Sequence, residues 1–405
     1  MTNLNRTKRL IVAAAISTPL LSMQAHAVGL QLMPGSPNFG SAGAGHAAIG
    51  MGAGSAWANP ATMVLVKDQQ IGFGMIAAST DLQFKADDEN EISGGNAGDE
   101  LFIPSFAYVN TINDDLSLGF SVVVPFGNSI DYDDDWAGSN VATSANLQTV
   151  QAMPALAYRI NKQLSVGFGI TANQTDVQQD LSMSMGPMTM DASIEAGDLA
   201  YGWTSGALYE LSSSHRIGAV YRSQVDFNLT GDAELGTSTG TASMNWENPA
   251  SLVISGFHQV SDNTSLLWDI GRTFYSEFEQ TNVALTDLPL DTLELHRNWT
   301  DANRYAVGTL YQLNDTITLQ AGYAFDESPV DTVDRSADLP LDDIQRITAG
   351  VNYKLNLKTD LAFGIEYADL GSPELQDSGD PLFSSPEGEY ENSATAASFS
   401  INYQF

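Results

Sequence analysis

One motif returns six times along this chain and limits its fold more than any other feature. It reads aromatic residue, any residue, apolar residue, a few polar residues, then a strand of alternating apolar and polar or small residues. It stands at Tyr108-Val109-Asn110-Thr111-Ile112-Asn113-Asp114-Asp115-Leu116 and at Tyr158-Arg159-Ile160-Asn161-Lys162-Gln163-Leu164. Further copies start at Tyr209, His258, Tyr311 and Tyr353, with His258 in the aromatic slot. The copies lie 42 to 53 residues apart, which fits one hairpin and one long loop per repeat. The flanking strands keep a period of two, as in Leu164, Val166, Phe168 and Ile170 against Ser165, Gly167 and Gly169. One face of each strand is then apolar and the other polar or small. Too many strands alternate for a single inner core to absorb them. A barrel in lipid calls for this pattern, with apolar residues outside and polar residues inside.

Six turns supply twelve strands. One more begins near Ile71, and a last runs from Ala396 to Phe405. The expected fold is all-β, a 14-stranded antiparallel transmembrane barrel over residues 71–405. An even strand number closes such a barrel with both ends on one side. The short turns face the periplasm. Seven long connections face outside, at about 85–101, 128–150, 176–199, 229–249, 276–302, 327–343 and 370–395.

The N-terminus differs. Arg6, Lys8 and Arg9 precede a short apolar run from Leu10 to Leu21, and Ala25-His26-Ala27 has the form of a signal-peptidase site. Residues 1–27 read as a cleaved signal peptide, because the apolar run is shorter than the ~20 residues of a spanning helix. Residues 28–70 are rich in glycine and show little alternation, which suits a plug inside the barrel. Gly43-x-Gly45-x-x-Ala48 imitates a dinucleotide fingerprint, but no strand precedes it and no βαβ unit follows.

Composition excludes several functions. The chain has no cysteine, so there is no disulfide or thiol chemistry. Its 16 basic residues stand against 49 acidic ones, which argues against nucleic acid as a partner. The acidic runs, such as Asp131 to Asp135, read as solvated loop surface. Asp131, Asp133 and Asp135 have calcium-loop spacing, but Trp136 stands where that loop needs glycine, so no metal site is expected. No histidine has a nucleophile partner, so neither catalysis nor a cofactor is expected.

Several segments resemble the FadL family of outer-membrane transporters for long-chain fatty acids and hydrocarbons. The plug carries Asn59-Pro60-Ala61, the family's signature triplet, and Val28-Gly29-Leu30-Gln31-Leu32 is similar to the family's mature start. Ala321 to Val330, with Asp334-Arg335-Ser336, resembles a family strand and its loop. Ala157 to Asn161 and Leu164 to Gly169 do the same for strands four and five. The resemblance implies passive uptake in the outer membrane. Ligand is caught among outer loops, held in a pocket above the plug, and released sideways beside a kinked third strand.

Candidate residues follow. Pro125, Phe126 and Gly127 either form that lateral opening or simply end the third strand at the outer rim. Met183, Met185, Met188 and Met190 form a soft apolar group suited to a capture groove, or else a hairpin that packs on its neighbours. Parity places Arg304, Arg346 and Arg222 facing the lumen. Arg304 and Arg346 are the candidates for binding a carboxylate, with ion pairs to Glu366 or Asp326 as the alternative. The resemblance weakens at Thr300 and Asp176, where family members that bind fatty acids carry basic residues. That departure keeps uncharged alkanes and monoaromatics open as ligands. An aqueous porin would need a lumen free of the plug. Expected partners are the hydrophobic ligand, outer-membrane lipid and lipopolysaccharide, with the barrel a monomer.

Overall fold

The computed structural model describes residues 31–88, 90–133, 135–185, 188–276, 280–376 and 386–405. The expected signal peptide lies outside them. In chain order the first strands are β1 (Gln69–Ala86), β2 (Glu100–Thr111), β3 (Leu116–Asp131), β4 (Ser144–Arg159), β5 (Leu164–Met185), β6 (Met188–Ser212) and β7 (His215–Arg222). Then come β8 (Val225–Leu235), β9 (Ser238–Asn248), β10 (Ala250–Gln259), β11 (Thr264–Phe274), β12 (Gln280–Thr286), β13 (Thr292–His296) and β14 (Ala302–Gln312). The last are β15 (Ile317–Asp326), β16 (Ile344–Asn356), β17 (Thr359–Asp369), β18 (Glu374–Leu375) and β19 (Gly388–Gln404).

The wall runs β1 to β7, then β10, β11, β14 to β17 and β19, and β19 pairs back onto β1. That is the closed 14-stranded antiparallel barrel the repeat implied. Closure pairs the strand edges around the barrel, the upper parts of β2 and β3 excepted.

All six repeat copies lie at the short turns. Ile112, Ile160, Val260 and Leu313 each donate their backbone N–H across the turn to the first residue of the next strand. In three of the four, an Asn side chain also accepts from the turn backbone, as Asn113, Asn161 and Asn314 do. The apolar residue of the motif points outward, with Ile160, Leu211, Val260 and Leu313 about half exposed. Tyr158, Tyr209, Tyr311 and Tyr353 are exposed beside them. This ring of aromatics marks the periplasmic membrane interface.

The long outer connections differ from the sequence expectation. Those at about 176–199, 229–249 and 276–302 carry strands. β5 and β6 run on as one tall hairpin with paired residues up to Met185 opposite Met188. β8, β9, β12 and β13 add a sheet that continues the wall upward, joined to β6 by β8. In β8 the alternation is inverted, with Val225, Phe227 and Leu229 buried and Asp226, Asn228 and Thr230 exposed. Above the membrane water replaces lipid outside, so the apolar side chains turn inward.

Inside the barrel, residues 31–68 fold as short helical turns at Phe39–Ser41, Gly52–Gly54, Ser55–Ala58 and Pro60–Leu65. The wall fits this plug through inward glycines. A Cβ on Gly74, Gly218, Gly322 or Gly350 would collide with plug backbone at Gly35, Ala47, Ser41 or Gly40. Backbone packs directly on backbone there, which is possible at glycine alone.

Candidate functional site

Asn59 joins plug to wall. It is the N-cap of the turn Pro60–Leu65, with Pro60 in the first position, where its missing N–H costs nothing. Its Oδ1 accepts from the Ala61 N–H at 3.0 Å. Its Nδ2 donates to the carbonyls of Ala47 at 2.7 Å, Ala207 at 3.1 Å and Ala219 at 3.3 Å. The last two lie on β6 and β7. Opposite, buried Asp269 on β11 accepts from the Gly45 N–H at 2.7 Å and pairs with His46 Nδ1 at 2.8 Å. Thr348 on β16 accepts from the Ala42 N–H at 2.8 Å and donates to the Gly40 carbonyl at 2.9 Å. These contacts satisfy buried plug backbone that forms no long helix of its own.

Above the plug lies a chamber of about 1480 Å³, part of it open to solvent. Its apolar wall includes Leu32, Phe39, Ile76, Leu101, Ile103 and Ile344. Its polar wall holds Arg222, Arg304, Arg346, Asp326 and Glu366. Arg304 and Arg346 both reach Asp326. The Arg304 Nη1 is 2.6 Å from Oδ1, and the Arg346 Nε is 3.1 Å from Oδ2. Arg346 Nη1 also meets Glu366 at 3.0 Å, and Arg304 Nη2 donates to the Ala42 carbonyl of the plug at 2.8 Å. Two cations and two carboxylates balance in this network, so any ligand anion there competes with fixed ones. Both arginines stand on the chamber as parity required, and their ion pairs are the alternative weighed for them.

The third strand carries a bulge. The β3–β4 register shifts between Val123 and Phe126, and β3 then continues to Asp131. Pro125 to Gly127 thus interrupt a strand and do not end one. β2 and β3 share rungs from Thr111↔Ser117 up to Phe106↔Val122 and none beyond. Above that point β2 still pairs with β1, and β3 with β4. The wall is therefore unzipped between two strands. A crevice lies there, lined by Ser105, Phe106 and Val123 of the wall and Pro34 to Pro37 of the plug. A second reaches Pro125 and Phe126 from the lumen side. The plug's first described residues close on the bulge, with the Leu32 N–H donating to the Pro125 carbonyl at 2.8 Å.

The methionines sit at the tip of the β5–β6 hairpin, Met183 opposite Met190 and Met185 opposite Met188. The side chains of Met183, Met185 and Met188 lie outside the description. Met190 packs with Leu181 and Leu235 beside Leu288 and Leu290 of the neighbouring outer segments. Below it an apolar cluster including Phe227, Leu229, Trp246 and Val283 fills the outer sheet's inner face. Across the mouth, Arg297 and Asp338 form a buried pair at 2.6 Å. Burial alone would raise the Asp338 carboxyl. The Arg297 charge and its hydrogen bonds, with that of Ser336, outweigh burial and hold Asp338 below its ordinary value.

Sequence reasoning did not single out Trp57, His46 or Asp269. Asp269 carried a signal: it is an acid on the inward face of a strand whose outward face is Leu266, Trp268 and Ile270.

The family model described as outer membrane protein transport protein (OMPP1/FadL/TodX) matches residues 18–405. The long-chain fatty acid transport protein of Salmonella typhi is 27% identical over 395 residues, covering 88% of this chain and 90% of that protein. Among solved structures, a Pseudomonas aeruginosa FadL homologue superposes with a TM-score of 0.86 at 19% identity, over 93% of this chain and 100% of that one. The Ralstonia pickettii toluene transporter TbuX gives a TM-score of 0.72 at 18% identity, over 91% of this chain and 98% of that one. These two show the shared fold. A closed barrel with its lumen plugged, matched over residues 18–405 by the family model, places this chain in the outer membrane as a member of the OMPP1/FadL/TodX family of transport proteins.

Proposed function

We propose that the chain carries hydrophobic small molecules, above all long-chain fatty acids, inward across the outer membrane without energy input. The observation that carries this reading is the placement of an apolar chamber directly above a plug and beside an unzipped wall. Apolar ligand leaves water for the outer sheet's inner face, with Met183, Met185, Met188 and Met190 of the β5–β6 hairpin as its proposed adaptable capture residues. It then enters the chamber, whose polar wall includes Arg304 and Arg346 with their carboxylates. It leaves sideways past Pro125, Phe126 and Gly127, since Asn59, Pro60 and Ala61 keep the lumen below closed. Lipid and lipopolysaccharide surround a monomeric barrel, and no covalent step is assigned to it. The Salmonella relative's fatty acid supports the choice of ligand.

Uncharged hydrocarbons are the second reading. The self-neutralised arginine network favours it, and the relative TbuX is a toluene transporter. Cells lacking their own transporters and expressing this chain should take up radiolabelled oleate well above the empty-vector rate. Uptake of toluene or hexadecane without oleate would replace the first reading by the second. Uptake of none of the three would sink both.

A further inference from the structure

Three arginines reach the chamber, and among the described residues only two meet carboxylates. Arg304 lies opposite Asp326 across the β14–β15 ladder. Arg222, near the top of β7, lies opposite Thr204 on β6 and Ser251 on β10, both neutral. Its Nη2 donates to the Trp57 and Ala58 carbonyls at 3.2 and 3.1 Å. Its guanidinium stands 4.6 Å from the centre of the Trp57 ring. A guanidinium has five N–H groups, and these contacts use the two on Nη2. Nε and Nη1 have no acceptor among the described residues, and neither is fully buried. Beside them the Trp57 indole N–H is buried without an acceptor. An unneutralised cation next to an unmet donor leaves an acceptor missing.

The place matters as much as the chemistry. Arg222 and Trp57 line both the main chamber and the smaller cavity that reaches the β3 bulge. Apolar surface adjoins them on each side, Val253 and Leu32 in the chamber and Phe126 and Val225 in the smaller cavity.

We infer that Arg222, supported by Trp57, anchors the carboxylate of an amphipathic ligand at the junction of chamber and side passage. The inference rests on the fatty-acid reading of the chamber. Here an entering anion gains a charge-assisted hydrogen bond without displacing a fixed carboxylate. At Arg304 and Arg346 it would have to displace Asp326 or Glu366.

The test is equilibrium binding of radiolabelled oleate and of its uncharged methyl ester to the purified, folded barrel. Arg222→Gln should weaken oleate at least about tenfold and leave the ester within about twofold, since the charge-assisted contact alone is lost. Arg222→Lys should recover most of the loss by keeping the charge, and Trp57→Phe should cost oleate about threefold. Heat-dependent mobility in SDS gels checks folding. Should the Gln variant not fold, the Phe variant decides, because it must weaken oleate and not the ester. Unchanged oleate binding, or equal losses for oleate and ester, overturns the anchor and leaves the transport reading standing. A wild-type barrel that binds neither probe overturns the fatty-acid reading itself.

Discussion

Arg346 stands between two carboxylates inside a membrane barrel, where a lone charge is costly. Replacing it by Met would leave Glu366, whose side chain is 9% exposed, without its cation. The expected loss is about 3 kcal/mol in denaturant unfolding from lipid vesicles, because a partly dry charge is left uncompensated. Adding Glu366→Leu should restore most of it, and a double variant no better than the single one would refute the pairing. Asp338 makes a pH prediction. Its folded pKa is depressed below 3.8, so the Arg297 pair stabilises the outer mouth above that value. The contribution fades as pH falls from 3.8 through the lower folded value. Amide exchange in residues 331–341, corrected for intrinsic rates, should quicken below pH 3.8 in wild type but not in Asp338→Asn, which is loosened at every pH. Equal behaviour of the two proteins would discard this.

At the scale of elements, the gap between β2 and β3 can be closed by chemistry. The chain has no cysteine, so Ser105→Cys with Val123→Cys places a clean pair one rung above Phe106↔Val122. Oxidation should stop uptake and reductant should restore it. Uptake that ignores the disulfide would mean ligand leaves elsewhere. The wall strands and their turns were legible because every copy of the motif faces the same lipid interface. The outer sheet was not. Its strands, such as β8, invert the alternation, and their exposed Asp226, Asp232 and Glu234 look like solvated loop when apolar-out is the rule. The bulge was visible at Pro125, but whether it interrupted β3 or ended it depended on pairing with β4 far along the chain. Arg304 and Arg346 could be placed inside by parity. Their partners follow from cross-strand register, and so does the lack of one at Arg222.

For the molecule as a whole, β19 must arrive before the wall can close on β1, from Gln70↔Gln404 up to Ala86↔Gly388. Truncation after Ser398 would strip partners from the lower third of β1 and the lower half of β17 together. The shortened chain should lose the fast-migrating folded band in unheated SDS gels, and retention of that band would show that closure needs fewer rungs. The glycines lining the wall have a wider consequence. Each marks a spot where plug and barrel are moulded to one another at the level of backbone, as at Gly218 against Ala47. Neither half can then drift in sequence alone. A plug borrowed from a relative by recombination would meet a mould cast for another shape, so the two halves are inherited as one unit.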